Sequence, residues 1–247
     1  MTMRRAVVAG VVAWLVFLVA TIPADRALAL APQMPGVAIG SVQGTLWRGQ
    51  ANSLVAKGVQ IDDVHWRFRP LSMFLGQLEF DLEGMLAGKP LHAIAGKALS
   101  GEPYFEDVQV SISASEVLYR LGVNQVSVGG QLVLDLDDVH FSPAGIPMFS
   151  GEMRWAPADI DAPLILSLGT ATLTTQHDDD LTRGDLVADG GALQVQADVT
   201  LEAGGAYKLD ATIREKGTMP QAVRKFLSTF AEEENGSYRL EWSDTLL

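Results

Sequence analysis

Beyond Gly36 the apolar residues of this 247-residue chain return at every second position, in one run after another, and that period constrains the fold more than any other feature. Side chains on a strand alternate between two faces, so a period of two means strands with one buried and one solvated side. Val64, Trp66 and Phe68 alternate with His65, Arg67 and Arg69, and after residues 70–76 Leu78, Phe80 and Leu82 alternate with Glu79, Asp81 and Glu83. Paired antiparallel around Leu71–Leu75, a turn or short helix, the two runs set a basic row against an acidic one and turn both aromatic faces to the core. Such exposed charge pairs fix register while adding little stability each. The same alternation at Val108–Ala114, Leu132–Leu136, Leu193–Leu201 and Leu209–Ile213 predicts four more strands. The expected fold class is mainly β: one antiparallel, curved sheet over residues 37–247, with one or two short helices.

Two segments carry helical signals. Ser115–Leu121 ends at Gly122, and Pro220–Ala231 has Pro220 near its first turn with Val223, Phe226, Leu227 and Phe230 at helical spacing. That stripe either covers one end of the sheet or faces a partner. Gly-x-Leu recurs at Gly44, Gly76, Gly130, Gly184 and Gly191, at intervals too uneven for a solenoid repeat.

Ahead of the sheet, Ala6–Ile22 is uncharged, and as a helix these seventeen residues reach about 26 Å, near the thickness of a thin hydrocarbon core. Arg4 and Arg5 precede the run, whereas Pro23, Asp25 and Arg26 follow it, so the positive-inside rule leaves the short N-terminus in the cytoplasm and sends the bulk across. The expected organisation is a cytoplasmic segment 1–5, a transmembrane helix 6–22, a Pro-containing connector 23–36 and a periplasmic β domain 37–247. This describes a single-pass inner-membrane protein that touches lipid through its span. A cleavable signal peptide is the competing reading, because Ala27-Leu28-Ala29 fits the small-x-small pattern of a cleavage site. An apolar run longer than the usual h-region of about 7–15 residues, and Arg26 beside the site, favour the anchor.

The search for chemistry returns little. With no cysteine, disulfides, thiolate metal sites and Cys nucleophiles are excluded together. A net charge of −12 argues against a nucleic-acid partner, which would need clustered Lys and Arg. His65, His92, His140 and His177 are scattered, none with a second His at i+3 or i+4, and each reads as a solvated strand residue. Asp135–Asp138 and His177–Asp180 lack the pattern of an EF-hand loop. No Gly-x-Ser-x-Gly elbow, Ser-x-x-Lys pair or Walker loop occurs, although two carboxylates converging in space would leave no local trace. The expectation is a non-enzymatic chain with no cofactor and no metal.

One stretch is more distinctive: Gly44-Thr45-Leu46-Trp47-Arg48-Gly49-Gln50-Ala51, followed by Trp66-Arg67-Phe68-Arg69-Pro70-Leu71 and by Gly76-Gln77-Leu78. In order and spacing it resembles the protein N family of the type II secretion system (the GspN family), whose marks are Gly-x-Leu-Trp-x-Gly, a Trp-x-x-x-Pro segment and a Gly-x-Leu strand. The motif positions here are Gly44, Leu46, Trp47, Gly49, Trp66, Pro70, Gly76 and Leu78. The resemblance implies an accessory inner-membrane component that binds other secretion components and contributes to protein export across the outer membrane. The Gly-x-Tyr strands, Gly204–Leu209 and Gly236–Leu240, also look like the AsmA family of membrane-anchored, lipid-handling proteins, which would place lipid in a β groove. Physically, Trp47 and Trp66 read as large core anchors of the first strands, with Gly44 and Gly49 relieving crowding or forming bulges beside them.

Overall fold

The computed structural model describes residues 10, 11, 13, 14, 17–30, 36–56, 58–98, 101–120, 122, 123, 125–163, 165–217, 219–234 and 236–245. The alternation of the sequence becomes one antiparallel sheet in which nearly every strand pairs with its successor in the chain. It opens with β1 (Val37–Ile39) and β2 (Val42–Gly44), both laid against β3 (Arg48–Ala56), and continues through β4 (Val59–Phe68), β5 (Gln77–Leu86), β6 (Lys89–Ala98) and β7 (Pro103–Ser113). Helix α2 (Ala114–Arg120) and the two-residue β8 (Ser127–Val128) intervene before β9 (Gln131–Phe141) and β10 (Pro147–Ala156). The short β11 (Asp159–Ala162) and β12 (Leu166–Ser167) join β8 in a separate small sheet. The main sheet resumes with β13 (Gly169–Asp178), β14 (Leu181–Gly190), β15 (Leu193–Glu202) and β16 (Ala206–Glu215), and closes with β18 (Ser237–Thr245) and β17 (Glu232–Glu234). Helix α1 (Ala24–Leu30) precedes it and helix α3 (Gln221–Phe230) lies between β16 and β17.

Register separates an apolar from a polar row. One row of directly opposed residues runs Leu91, Val110, Leu134, Met153, Leu173, Leu186, Ala197, Ala211 and Leu240 across nine strands, apolar throughout. One residue along, His65, Glu83, His92, Gln109, Asp135, Glu152, Thr174, Asp185, Asp198, Asp210 and Glu241 form an unbroken polar row. The charge opposition expected between β4 and β5 is present, with His65 facing Glu83 and Arg67 facing Asp81.

A one-sided sheet must hide its apolar face, and here it does so by local covers. The expected Pro220–Ala231 helix is α3, with Pro220 as its N-cap; its Val223 and Leu227 pack with Met219 on Leu193 and Ile213 and cover one end of the sheet, whereas Phe230 of the same stripe is exposed and the Phe226 side chain is not among those described. Helix α2 reaches from the end of β7 back to the β3–β4 turn, where Arg120 Nη1 donates to the Gly58 carbonyl at 3.2 Å. Both helices lie at the same end of the strands. At the other end the tip of the β9–β10 hairpin bends over β13 and β14. Gly151, at φ +138 in a register shift, makes the bend, and a Cβ there would collide with the Asp135 carbonyl. The tip is held by Ser150 Oγ, which accepts the His177 N–H at 3.0 Å, and by the Ser142 hydroxyl, which donates to the Ala203 carbonyl at 2.8 Å. Met148 is thereby buried against Thr182.

Among the described residues no helix is long and apolar enough to cross a membrane. Residues 1–9, 12, 15 and 16, which include part of the expected span, and 31–35 of the connector lie outside the described residues. Residues 17–20 are helical, and Phe17, Leu18 and Val19 are exposed.

Leu227 is 2% exposed at the centre of the α3 contact. Leu227→Ala should lower the stability of the full chain in detergent micelles by about 2–5 kcal/mol, measured by chemical denaturation.

Candidate functional site

The motif residues converge at the end of the sheet where the chain enters it. The helical residues 17–20 end in Thr21, and Pro23 then makes an antiparallel bridge with Thr45. The Leu46 N–H donates to the Ile22 carbonyl at 2.9 Å, and the Trp47 indole N–H donates to the Val19 carbonyl at 2.8 Å. Carbonyls in the last turn of a helix have no partner within it, so the Gly44–Trp47 turn serves as a receptor for the helix end. Gly44, at φ +96 and with its Cα hydrogen side against Gly49, makes that turn possible.

Behind the receptor the rings run in series. Trp47 and Phe68 have centroids 4.8 Å apart and Phe68 and Phe80 5.4 Å apart. The Trp66 N–H donates to the Leu46 carbonyl at 3.1 Å, and its ring lies over Gly49, where a Cβ would collide with it. Trp66 and Trp47 are both half-buried, so their rings act as braces at the rim of the sheet and not as the sealed core anchors expected. Leu46 is likewise half-buried.

From Phe68 the chain passes into a 3-10 turn, Pro70–Leu75, with Pro70 in its first positions and Gly76 as a left-handed cap whose N–H reaches the Met73 and Ser72 carbonyls. The turn is tied down on one side only. The Ser72 hydroxyl donates to the Arg69 carbonyl at 2.7 Å, the Arg69 N–H donates to the Glu79 carbonyl at 3.0 Å, and the Arg69 guanidinium lies 3.2 Å from the Glu79 carboxylate. The other side bares Leu71 (77% exposed), Met73 (55%), Phe74 (87%) and Leu75 (79%), with Leu78 half-exposed at the start of β5. This is an apolar knuckle at the turn or short helix expected over Leu71–Leu75, and its exposure is what the sequence did not reveal.

Glu79 departs from expectation. It belongs to the acidic outer face by sequence, yet it is 7% exposed, because Tyr104 lies across Gly96 and donates its hydroxyl to Glu79 Oε1 at 2.9 Å. Burial first, then the hydrogen bond to Glu79, push the Tyr104 phenol up to about 12. Cross-strand register also builds what local spacing could not: ligand atoms of Asp81, Glu83 and His92 lie within 4.8 Å of one another on the polar face. His92 Nδ1 is 3.5 Å from Asp81 Oδ1, and its Nε2 is 3.5 Å from Asp107 Oδ2. Among the described residues these are the side chains whose donors could meet at a divalent cation.

Two hollows open on the polar face. One, of about 730 Å³, is lined by His65, Glu83, His92 and Asp135 together with Met85, Leu91, Val110 and Val133; the other, of about 810 Å³, by Asp185, Asp198, Asp210, Thr212, Arg214 and Arg239. In the second, Asp185, Asp198 and Asp210 stand directly opposite one another on successive strands, followed by Glu241. Opposed like charges on a sheet are unfavourable, and Arg239, 2.8 Å from Asp210 and 3.3 Å from Glu241, offsets them in part, with Lys208 acting on Asp210 and Arg214 lining the same hollow. That contact holds the Asp210 carboxyl below its ordinary range.

The family described as type II secretion system (T2SS), protein N, matches residues 35–241. A type II secretion system protein N of Vibrio cholerae serotype O1 is 26% identical over 241 residues, covering 92% of each chain. The protein of that name from Pectobacterium carotovorum is 24% identical over the full length of both, and that from Aeromonas hydrophila 26% identical over 87% of each. No solved structure matches the chain.

The Tyr104 phenol ionises near 10.0 when unfolded and near 12 when folded. Its contribution to stability is therefore complete below pH 10.0 and is lost as the pH climbs towards 12. Urea melts across that window should show a smaller alkaline loss for Tyr104→Phe than for the parent.

Proposed function

Because this chain belongs to the type II secretion system protein N family, we propose that it is an accessory, non-enzymatic component of the secretion machine. In this reading residues 6–22 span the inner membrane and the sheet stands in the periplasm, where it binds other secretion components and so supports protein export across the outer membrane. The observation that carries the binding role is the polar face. The opposed carboxylates of Asp185, Asp198 and Asp210 line an 810 Å³ hollow in an arrangement that costs folding stability, and a cationic surface of a partner component relieves that cost.

A second reading, membrane-anchored lipid handling, is favoured by one feature. An apolar row runs unbroken across nine strands, the small β8–β11–β12 sheet covers the face only near Leu193 and Ile213, and Leu82, Leu91, Leu134, Met153 and Leu173 are only half-buried. Acyl chains would suit such a trough.

Deleting the chain in its bacterium should impair release of folded exoproteins and leave outer-membrane lipid composition unchanged; the opposite pattern supports the lipid reading. The polar face can be tested separately. The double variant Asp185→Asn, Asp198→Asn should gain about 0.2–1 kcal/mol in stability through relief of repulsion, yet recover fewer secretion components by crosslinking from membranes. Undiminished crosslinking would remove the acidic row from the binding surface.

A further inference from the structure

The exposed turn Pro70–Leu75 has no role in the reading above, and it combines three properties. It is apolar, with Leu71, Phe74 and Leu75 each more than three-quarters exposed. It is preorganised, by the Gly76 cap and the Arg69–Glu79 contact. It also sits at the end of the strands that receives the N-terminal helix, one ring away from it: Trp47 holds the Val19 carbonyl and touches Phe68, which leads directly into the turn.

We propose that Leu71, Phe74 and Leu75 insert into the surface of the lipid bilayer, forming a second membrane contact beside the anchor. The inference rests on residues 6–22 being that anchor. A bilayer is the occupant that fits, for two reasons. The first is place: the neighbouring helical residues Phe17, Leu18 and Val19 bear the same exposed apolar character, so a membrane that takes them lies level with the turn. The second is charge. Arg48 and Arg67 stand directly opposite each other on β3 and β4, at the same end of the sheet, and neither has an ion pair among the described residues. In a chain of net charge −12, an arginine pair beside an apolar knuckle, held in no ion pair among the described residues although Asp81 stands opposite Arg67, matches a layer of anionic headgroups over an acyl interior. Two contacts, the helix and the turn, would fix the tilt of the sheet relative to the membrane, which a single helix leaves free.

The chain has no cysteine, so single cysteines report position without further changes. Full-length protein carrying Phe74→Cys, Leu18→Cys or Ile165→Cys would be labelled with an environment-sensitive fluorophore in vesicles of phosphatidylethanolamine and phosphatidylglycerol containing doxyl-lipid quenchers. Ile165 is 83% exposed at the opposite end of the sheet. The expected result is a blue-shifted Phe74 probe, quenched several-fold more strongly than the Ile165 probe, and a weaker effect when Arg48→Gln and Arg67→Gln are added. A quenched Leu18 probe beside an unquenched Phe74 probe would overturn the proposal and leave the anchor standing. A quenched Phe74 probe beside an unquenched Leu18 probe would support the turn and refute the anchor. Quenching equal at Phe74 and Ile165, or absent at both, overturns the proposal; in those cases a Phe74 probe shielded only when other secretion components are added would assign the turn to a protein partner.

Discussion

A long sheet with one apolar face, met by a second sheet only at the short β8–β11–β12 patch, has to bury the rest of that face with whatever the chain can fold back over it. Everything else in this structure answers that demand. Helices α2 and α3 close one end, the small β8–β11–β12 sheet packs beside α3, and the β9–β10 hairpin tip bends at Gly151 to cover β13 and β14 at the other. The result is a thin core. Among the described residues Met148 and Leu227 are the most deeply buried large side chains, and the remaining burial falls mainly on Ala, Val, Ile and Leu. Each apolar row contributes a part of the roughly 25 cal/mol per Å² available from burial, and no position dominates.

The covers are distributed unevenly, and that unevenness gives the sheet a direction. One end is closed by helices. The other is closed over its second half by the hairpin tip, while over its first half it carries the helix receptor at Gly44–Trp47 and the bared turn at Pro70–Leu75. The residues from Gly44 to Leu78 that carry the resemblance thus surround the place where the chain's N-terminal helical residues attach. Gly44 permits the turn, Trp47 holds the incoming helix, Gly49 makes room for Trp66, Pro70 and Gly76 frame the exposed turn, and Leu78 begins the strand that leaves it.

Much of this was legible in the sequence, and the limits have physical causes. Alternation identified β4, β5, β7, β9, β15 and β16, and the opposition of His65, Arg67 and Arg69 to Glu79, Asp81 and Glu83 gave the β4–β5 register. Strands such as β13 and β14 were harder to read, because Thr175, Thr182 and Gly184 occupy the covered face where the hairpin tip leaves room only for small side chains. The burial of Glu79 depends on Tyr104 crossing a glycine two strands away, and the meeting of Asp81, Glu83 and His92 depends on β5–β6 register; neither leaves a local signal. The exposed turn was visible as an apolar interruption between two strands, but its exposure follows from the Gly76 cap and the bracing by Arg69.

Strands that adjoin in space also adjoin in the chain, from β3 to β7, from β9 to β10 and from β13 to β16. This has a kinetic meaning. Closing each hairpin requires only a short loop, so the entropy of bringing distant segments together is small at every step and the contact order is low for an all-β chain. Such a sheet can grow one strand at a time from its first hairpin, each edge serving as template for the next arrival. A chain delivered N-terminus first therefore orders in the same direction as it is delivered, and its early strands need not wait for its last. The exception is the hairpin tip of β9 and β10, whose burial of Met148 must follow the arrival of β13 and β14.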